Sequence, residues 1–106
     1  MTICRVTLFK IPKEEDRKSV LALYSTMQKD AQKDGAPYIL SVKAGQTFED
    51  QRRQGYNLAI VSEFASEADM QFYDNECKAH AALKAVAKPV LEGIMMTYFE
   101  PIETSS

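Results

Sequence analysis

The chain predicts an α+β fold, a single domain with strands and helices in the order β-α-β-β-α-β, and three observations predict it. Residues 2–10 and 56–64 alternate with a period of two, the mark of strands. Val20, Tyr24, Met27 and Ala31 follow the i, i+4, i+7, i+11 spacing of a helix that presents one apolar stripe to a core. Ser66-Glu67-Ala68-Asp69 has the form of a capping box, with aspartate in the usual glutamate position, at the head of a second helical region.

In the first strand Ile3, Arg5, Thr7 and Phe9 alternate with Cys4, Val6 and Leu8. Both faces carry apolar groups, which implies a strand covered on two sides. Pro12 suits a helix start, and Glu14, Glu15 and Asp16 suit the positive end of a helix dipole, so a helix is expected over residues 13–33, with Leu21 and Leu23 widening its stripe. Gly35 offers a reversal and Pro37 blocks any continuation of the helix. A second strand then starts at residue 38 and ends near residues 45–47. Residues 48–54 are almost wholly polar and read as a hairpin connection closed by Gly55, with Arg52 and Arg53 as solvated turn residues.

The third strand puts Tyr56, Leu58, Ile60, Ser62 and Phe64 on its core face. In the helix that follows, Met70 and Tyr73 share the buried side. It breaks at residues 74–76 and restarts near residue 78, carrying His80, Leu83, Val86 and Ala87 before Pro89. Gly93 leads into a last strand over residues 94–100. This order is that of a ferredoxin-like fold, in which a four-stranded antiparallel sheet carries both helices on one face. The opposite face needs a cover. Val6, Leu8, Ala59, Val61, Met95 and Phe99 are residues suited to that face, and a homodimer is the expected cover.

Composition narrows the function classes. At 106 residues, 45% hydrophobic and 26% charged, the chain has the make-up of one soluble globular domain. Thirteen basic against fifteen acidic residues leave no surplus of positive charge to hold a nucleic-acid backbone. No apolar run approaches the length of a membrane span or of a signal-peptide core, so the default address is cytoplasmic, with neither nucleic acid nor membrane as partner. Two cysteines without ligand spacing indicate neither a disulfide framework nor a zinc site. Cys4 reads as core or interface, and Cys77 as an unreactive thiol in a polar loop. A glycine-rich phosphate loop, a GxSxG elbow and an HExxH helix are all missing.

One side chain has an ordinary pKa near neutrality, the single histidine His80, and Tyr73 stands seven residues before it. The pair reads either as a proton-transfer site or as a histidine packed at a rim beside a core tyrosine. Tyr24, Met27, Tyr38, Phe64, Met70 and Met96 either line an apolar ligand cleft or simply pack. Asp69 and Glu63 read as a helix-cap residue and a strand-edge charge rather than as paired carboxylates.

Several of these motifs together resemble one family over nearly the full length. They are the opening Val6-Thr7-Leu8-Phe9-Lys10, the glycine-tyrosine strand, turn and helix of residues 55–73, the Ala79-His80 pair, and the closing Thr97-Tyr98-Phe99-Glu100. The chain is similar to the stress-responsive A/B barrel domain proteins of the dimeric alpha-beta barrel superfamily, with the domain over residues 1–102 and a short tail over residues 103–106. The resemblance implies two ferredoxin-like subunits packed sheet against sheet, with a cleft between sheet and helices in each. Some relatives are known only as stress proteins. Others are plant polyketide cyclases that close a linear polyketide by aldol chemistry without metal or organic cofactor, using a tyrosine and a histidine that fall here on Tyr73 and His80. In place of the proline-alanine-histidine run of many members this chain has Lys78-Ala79-His80, and Asn57 stands where some cyclases carry another histidine.

Overall fold

In the computed structural model, which describes residues 2–104, the sheet runs in the spatial order β4-β5-β1-β6. Its strands are β1 (Ile3–Lys10), β4 (Ile39–Gln46), β5 (Leu58–Phe64) and β6 (Gly93–Phe99), and every neighbouring pair is antiparallel. β1 lies in the middle, with Val6 opposite Val61 of β5 and Thr97 of β6. One face of this sheet is packed by helices α1 (Glu14–Ser25), α3 (Glu67–Asn75) and α4 (Lys78–Ala87). The architecture is the ferredoxin-like α+β arrangement that the order of elements predicts. Of the expected tail over residues 103–106, residues 105 and 106 lie outside the described residues, as does residue 1.

Alternation sorts the two faces. Ile3, Phe9, Leu58, Ile60 and Phe64 are buried against Val20, Met27, Met70, Leu83 and Ala87 from the helices. On the reverse face Val6, Leu8, Ala59 and Val61 are half-buried, while Met95 and Phe99 are exposed. β1 is therefore covered on one side only by its own chain, where its sequence implies two covers. β6 is exposed along nearly its whole length, on the helix side as well.

The long first helix ends early. α1 stops at Ser25, whose hydroxyl donates to the Ala22 carbonyl at 2.6 Å, and a single turn α2 (Met27–Asp30) follows after Thr26. Polar side chains that bond to nearby backbone loosen a helix at such a point. The chain then forms a small hairpin, β2 (Gln32–Lys33) with β3 (Ala36–Pro37), where a helix to residue 33 is expected. Asp34 and Gly35 both have positive φ, 54° and 79°, the tight-turn geometry to which an Asp-Gly pair is suited. Local turn chemistry outweighs the helical stripe here.

The second helical region forms as its cap predicts. Ser66 Oγ accepts the Asp69 N–H at 3.1 Å, which starts α3. Cys77 then separates α3 from α4 and is buried, so the expectation of a thiol in a polar loop is corrected: its side chain turns into the core while Glu76 and Lys78 stay outside. Residues 48–54 contain a 3-10 turn at Gln51–Arg53, whose first N–H groups include that of Arg52, bonded to Asp50. Arg53 ties the loop by donating to Thr47 at 3.1 Å. Among the described residues no helix is long and apolar enough to cross a membrane.

Candidate functional site

The site is built on the central strand. On β1, Arg5 and Thr7 occupy positions whose side chains face the helices, between the core residues Ile3 and Phe9. An arginine on the buried parity of a strand needs a counter-charge. It finds Asp74 near the end of α3, with Nη2 to Oδ1 at 3.0 Å, and its guanidinium also lies 5.0 Å from the centre of the Tyr73 ring.

Tyr73 and His80 are brought together by the break between α3 and α4. Their rings stack with centroids 3.8 Å apart and planes within 10°. His80 Nδ1 lies 2.9 Å from the Tyr73 carbonyl oxygen, and because a carbonyl only accepts, Nδ1 must carry the proton. Nε2 is then the basic nitrogen of the neutral ring. It makes no hydrogen bond among the described residues. Tyr73 thus orients the imidazole through its backbone carbonyl and ring face. Burial raises the pKa of the Tyr73 phenol further above its ordinary value.

His80 lines a cavity of about 280 Å³ between α4 and the β1–β6 half of the sheet. Its apolar wall is Phe9, Leu83, Ala87, Leu91 and Ile94; its polar groups are Arg5, Thr7, Tyr24, Asp74, Lys84 and Lys88. Within this wall, burial pushes the His80 pKa down from 6.5 to about 4, and the positive charges of Arg5 and Lys84 push the same way against the Tyr73 carbonyl. Asp74 does little to offset this. Its Oδ1 is 3.9 Å from Nδ1 and is engaged by Arg5. The imidazole is consequently neutral at pH 7, a base with its lone pair free.

The six residues singled out for an apolar cleft separate. Tyr24 stands in the cavity wall, half of a tilted aromatic pair with Phe9, its phenol pKa raised by burial. Met27, Phe64 and Met70 are buried in the core and are not part of this cavity wall. Tyr38 packs edge-on against Phe72 at 5.4 Å, its hydroxyl sealed without a partner and its pKa raised by burial and by the neighbouring Cys77. Met96 sits on exposed β6 opposite Thr7, outside the wall. The phenol in the cavity wall is therefore that of Tyr24, with Tyr73 one layer behind His80.

Asn57 has a structural task. Its side chain accepts the Ile11 N–H at 3.0 Å and donates to the Ile11 carbonyl at 2.9 Å, continuing the ladder past the end of β1. Sequence reasoning passed over Arg5, Asp74, Lys84 and Lys88. Arg5 alone left a signal, a charge on the buried parity of its strand; the others depend on how α3 and α4 pack over the sheet.

A ferredoxin-like sheet with helices on one face and a small basic-rimmed cavity beneath the last helix defines a class of small α+β proteins rather than one activity. The family model described as "Stress responsive A/B Barrel Domain" (Dabb) matches residues 3–101, and the chain belongs to that family. It is 42% identical over 101 residues, 94% of this chain and 73% of the relative, to a "Fusaristatin A biosynthesis cluster protein" of Gibberella zeae. Among solved structures it is similar in fold to a hydroxynitrile lyase from Passiflora edulis, with TM-score 0.80 and 18% identity over 99% of this chain and 97% of that one. A dimeric ferredoxin-like protein of unknown function from Jannaschia sp. CCS1 superposes with TM-score 0.76 and 12% identity, covering 95% of this chain and all of that one.

Proposed function

We propose that this protein is a homodimer whose cavity takes a small, largely apolar molecule from a biosynthetic route, with His80 as the proton acceptor at a carbon next to a carbonyl. The observation that carries this reading is His80 Nε2, the basic nitrogen of a ring whose tautomer is fixed, free of protein partners in a cavity wall that is mostly apolar. The relative from a biosynthesis cluster and the implied kinship with polyketide cyclases support the same class of substrate. As the proton leaves carbon, negative charge grows on the carbonyl oxygen, where the Tyr24 hydroxyl is the wall group suited to hold it. The enolate then attacks a second carbonyl of the chain, and His80 returns its proton.

A panel of linear polyketide thioesters and acids, incubated with wild type and with His80→Ala shown to be folded by circular dichroism, tests the reading. Cyclised product with wild type and its loss with the variant is expected; equal turnover by both proteins would refute catalysis at His80. A non-catalytic carrier is the second reading, favoured by the low basicity that burial gives the imidazole. Ligand retention without turnover in both proteins decides for it.

The dimer rests on the uncovered face of Val6, Leu8, Ala59, Val61, Met95 and Phe99 and on the dimeric state of a protein of like fold. Light scattering should give twice the chain mass at micromolar concentration, and Val61→Glu, central on that face, should shift it to monomer. A wild-type monomer at that concentration removes the proposal. The cytoplasm is the proposed setting, since Cys4 and Cys77 are both free thiols.

A further inference from the structure

We propose that the ligand of this cavity is an anion, a small amphipathic carboxylic acid whose carboxylate is held by Arg5 and by the ammonium groups of Lys84 and Lys88. Its apolar body would lie against Phe9, Leu83 and Ile94. The inference rests on the reading of the cavity as a ligand site and adds the charge of the molecule that enters.

The charge distribution is the first ground. Over its full length the chain has a formal net charge of −2, yet the cavity wall holds three cations, Arg5, Lys84 and Lys88, against the single carboxylate of Asp74, an excess of two positive charges. His80 adds none while it is neutral. A cavity lined by one sign of charge within low-dielectric walls concentrates ligands of the opposite sign.

Arg5 is the second ground. Its side chain is only 10% exposed, yet the carboxylate that answers it, Asp74, is 28% exposed and meets it through one nitrogen. A guanidinium has five N–H donors in a rigid fork, and here Nε is sealed without any acceptor. A buried charge so incompletely paired is costly unless something completes it. Nε itself is closed to a ligand, but a carboxylate in the cavity supplies further acceptors to the terminal nitrogens of the guanidinium and a second counter-charge beside Asp74.

Lys84 and Lys88 extend the same pattern outward. Lys84 is fixed, its Nζ donating to the Asp74 carbonyl at 2.8 Å, which keeps the ammonium at the end of α3 beside the Arg5–Asp74 pair. Lys88 is exposed, one turn of chain further along, and forms part of the rim. The polar groups thus run from a buried guanidinium through a half-buried ammonium to an open one.

Calorimetric titration of the full chain with octanoate and with octan-1-ol at pH 7 tests the assignment, because the two probes share an alkyl body and differ in charge. Octanoate should bind about ten-fold more tightly, the scale of one hydrogen bond to a charged group. In Arg5→Gln that preference should largely vanish. Lys88→Gln, an exposed position that does not put folding at risk, should weaken octanoate about two- to five-fold and leave octan-1-ol unchanged. As an independent readout, saturating octanoate should raise the pKa of the single histidine, and octan-1-ol should not. Equal affinities in wild type overturn the anion site and leave the apolar cavity standing. A preference for octanoate that neither substitution alters places the anion elsewhere and also overturns it. If neither probe binds up to millimolar concentration, the ligand-cavity reading fails together with the inference.

Discussion

Lowering the pH should remove a defined part of the protein's stability through one residue. His80 is buried and held neutral, with a pKa of about 4 in the folded chain against 6.5 for the free side chain. Between those values the unfolded chain binds a proton that the native chain refuses, so unfolding becomes easier as pH falls. The contribution is fully present above 6.5, is lost progressively down to about 4, and changes little below that. With about 1.4 kcal/mol for each pH unit of separation, the loss by pH 4 is about 3 kcal/mol, a large share of the ~5–15 kcal/mol that stabilises a typical domain. Urea unfolding from pH 7.5 to 4, compared with His80→Phe, isolates this term from the exposed carboxylates, which titrate in both proteins. The curve of the variant should be flatter by that amount. Since the chain has one histidine, its ring resonances also give the titration directly by NMR. A midpoint between 6 and 7, or parallel stability curves for the two proteins, would show that burial and the charges of Arg5 and Lys84 do not act on this ring as argued.

Further outcomes follow from single contacts. Asn57→Ala removes both bonds to the Ile11 backbone and should cost about 1–3 kcal/mol in urea unfolding, with the oligomeric state unchanged. Asp74→Asn leaves Arg5 without a counter-charge in a mostly buried place and should cost about 2–3 kcal/mol in urea unfolding. Ser66→Ala deletes the α3 cap and should cost about 1 kcal/mol, with Ser66→Asp recovering most of it.

Much of the fold was legible because its signals are local. The alternation in β1 and β5, the Ser66 cap and the glycine that opens β6 each act within a few residues, and each element formed close to where those residues place it. The helix over residues 13–33 was overextended for the same kind of reason: the apolar spacing through Met27 and Ala31 persists, but Thr26 and the Asp34-Gly35 turn end the helix in pieces, and the stripe continues on chain that is no longer one helix. Cys77 was misplaced because its polar neighbours in sequence face outward while its own side chain faces the core.

The sequence by itself determined the order of elements, through periodicity and caps, and singled out His80 as the one side chain that titrates near neutrality, with Tyr73 before it; the family was legible as a resemblance in shared motifs. Only the tertiary structure decided what that pair does. Stacking and a backbone carbonyl rather than a hydroxyl orient the imidazole, and its basicity is set by burial and by two cations that arrive from β1 and α4. It also decided that Tyr24 rather than Tyr73 supplies the phenol of the cavity wall, and that Arg5, Asp74, Lys84 and Lys88 meet around one small space. Such facts depend on the packing of helices over a sheet, where residues up to 80 or more positions apart become neighbours, and no local pattern in the chain encodes those distances.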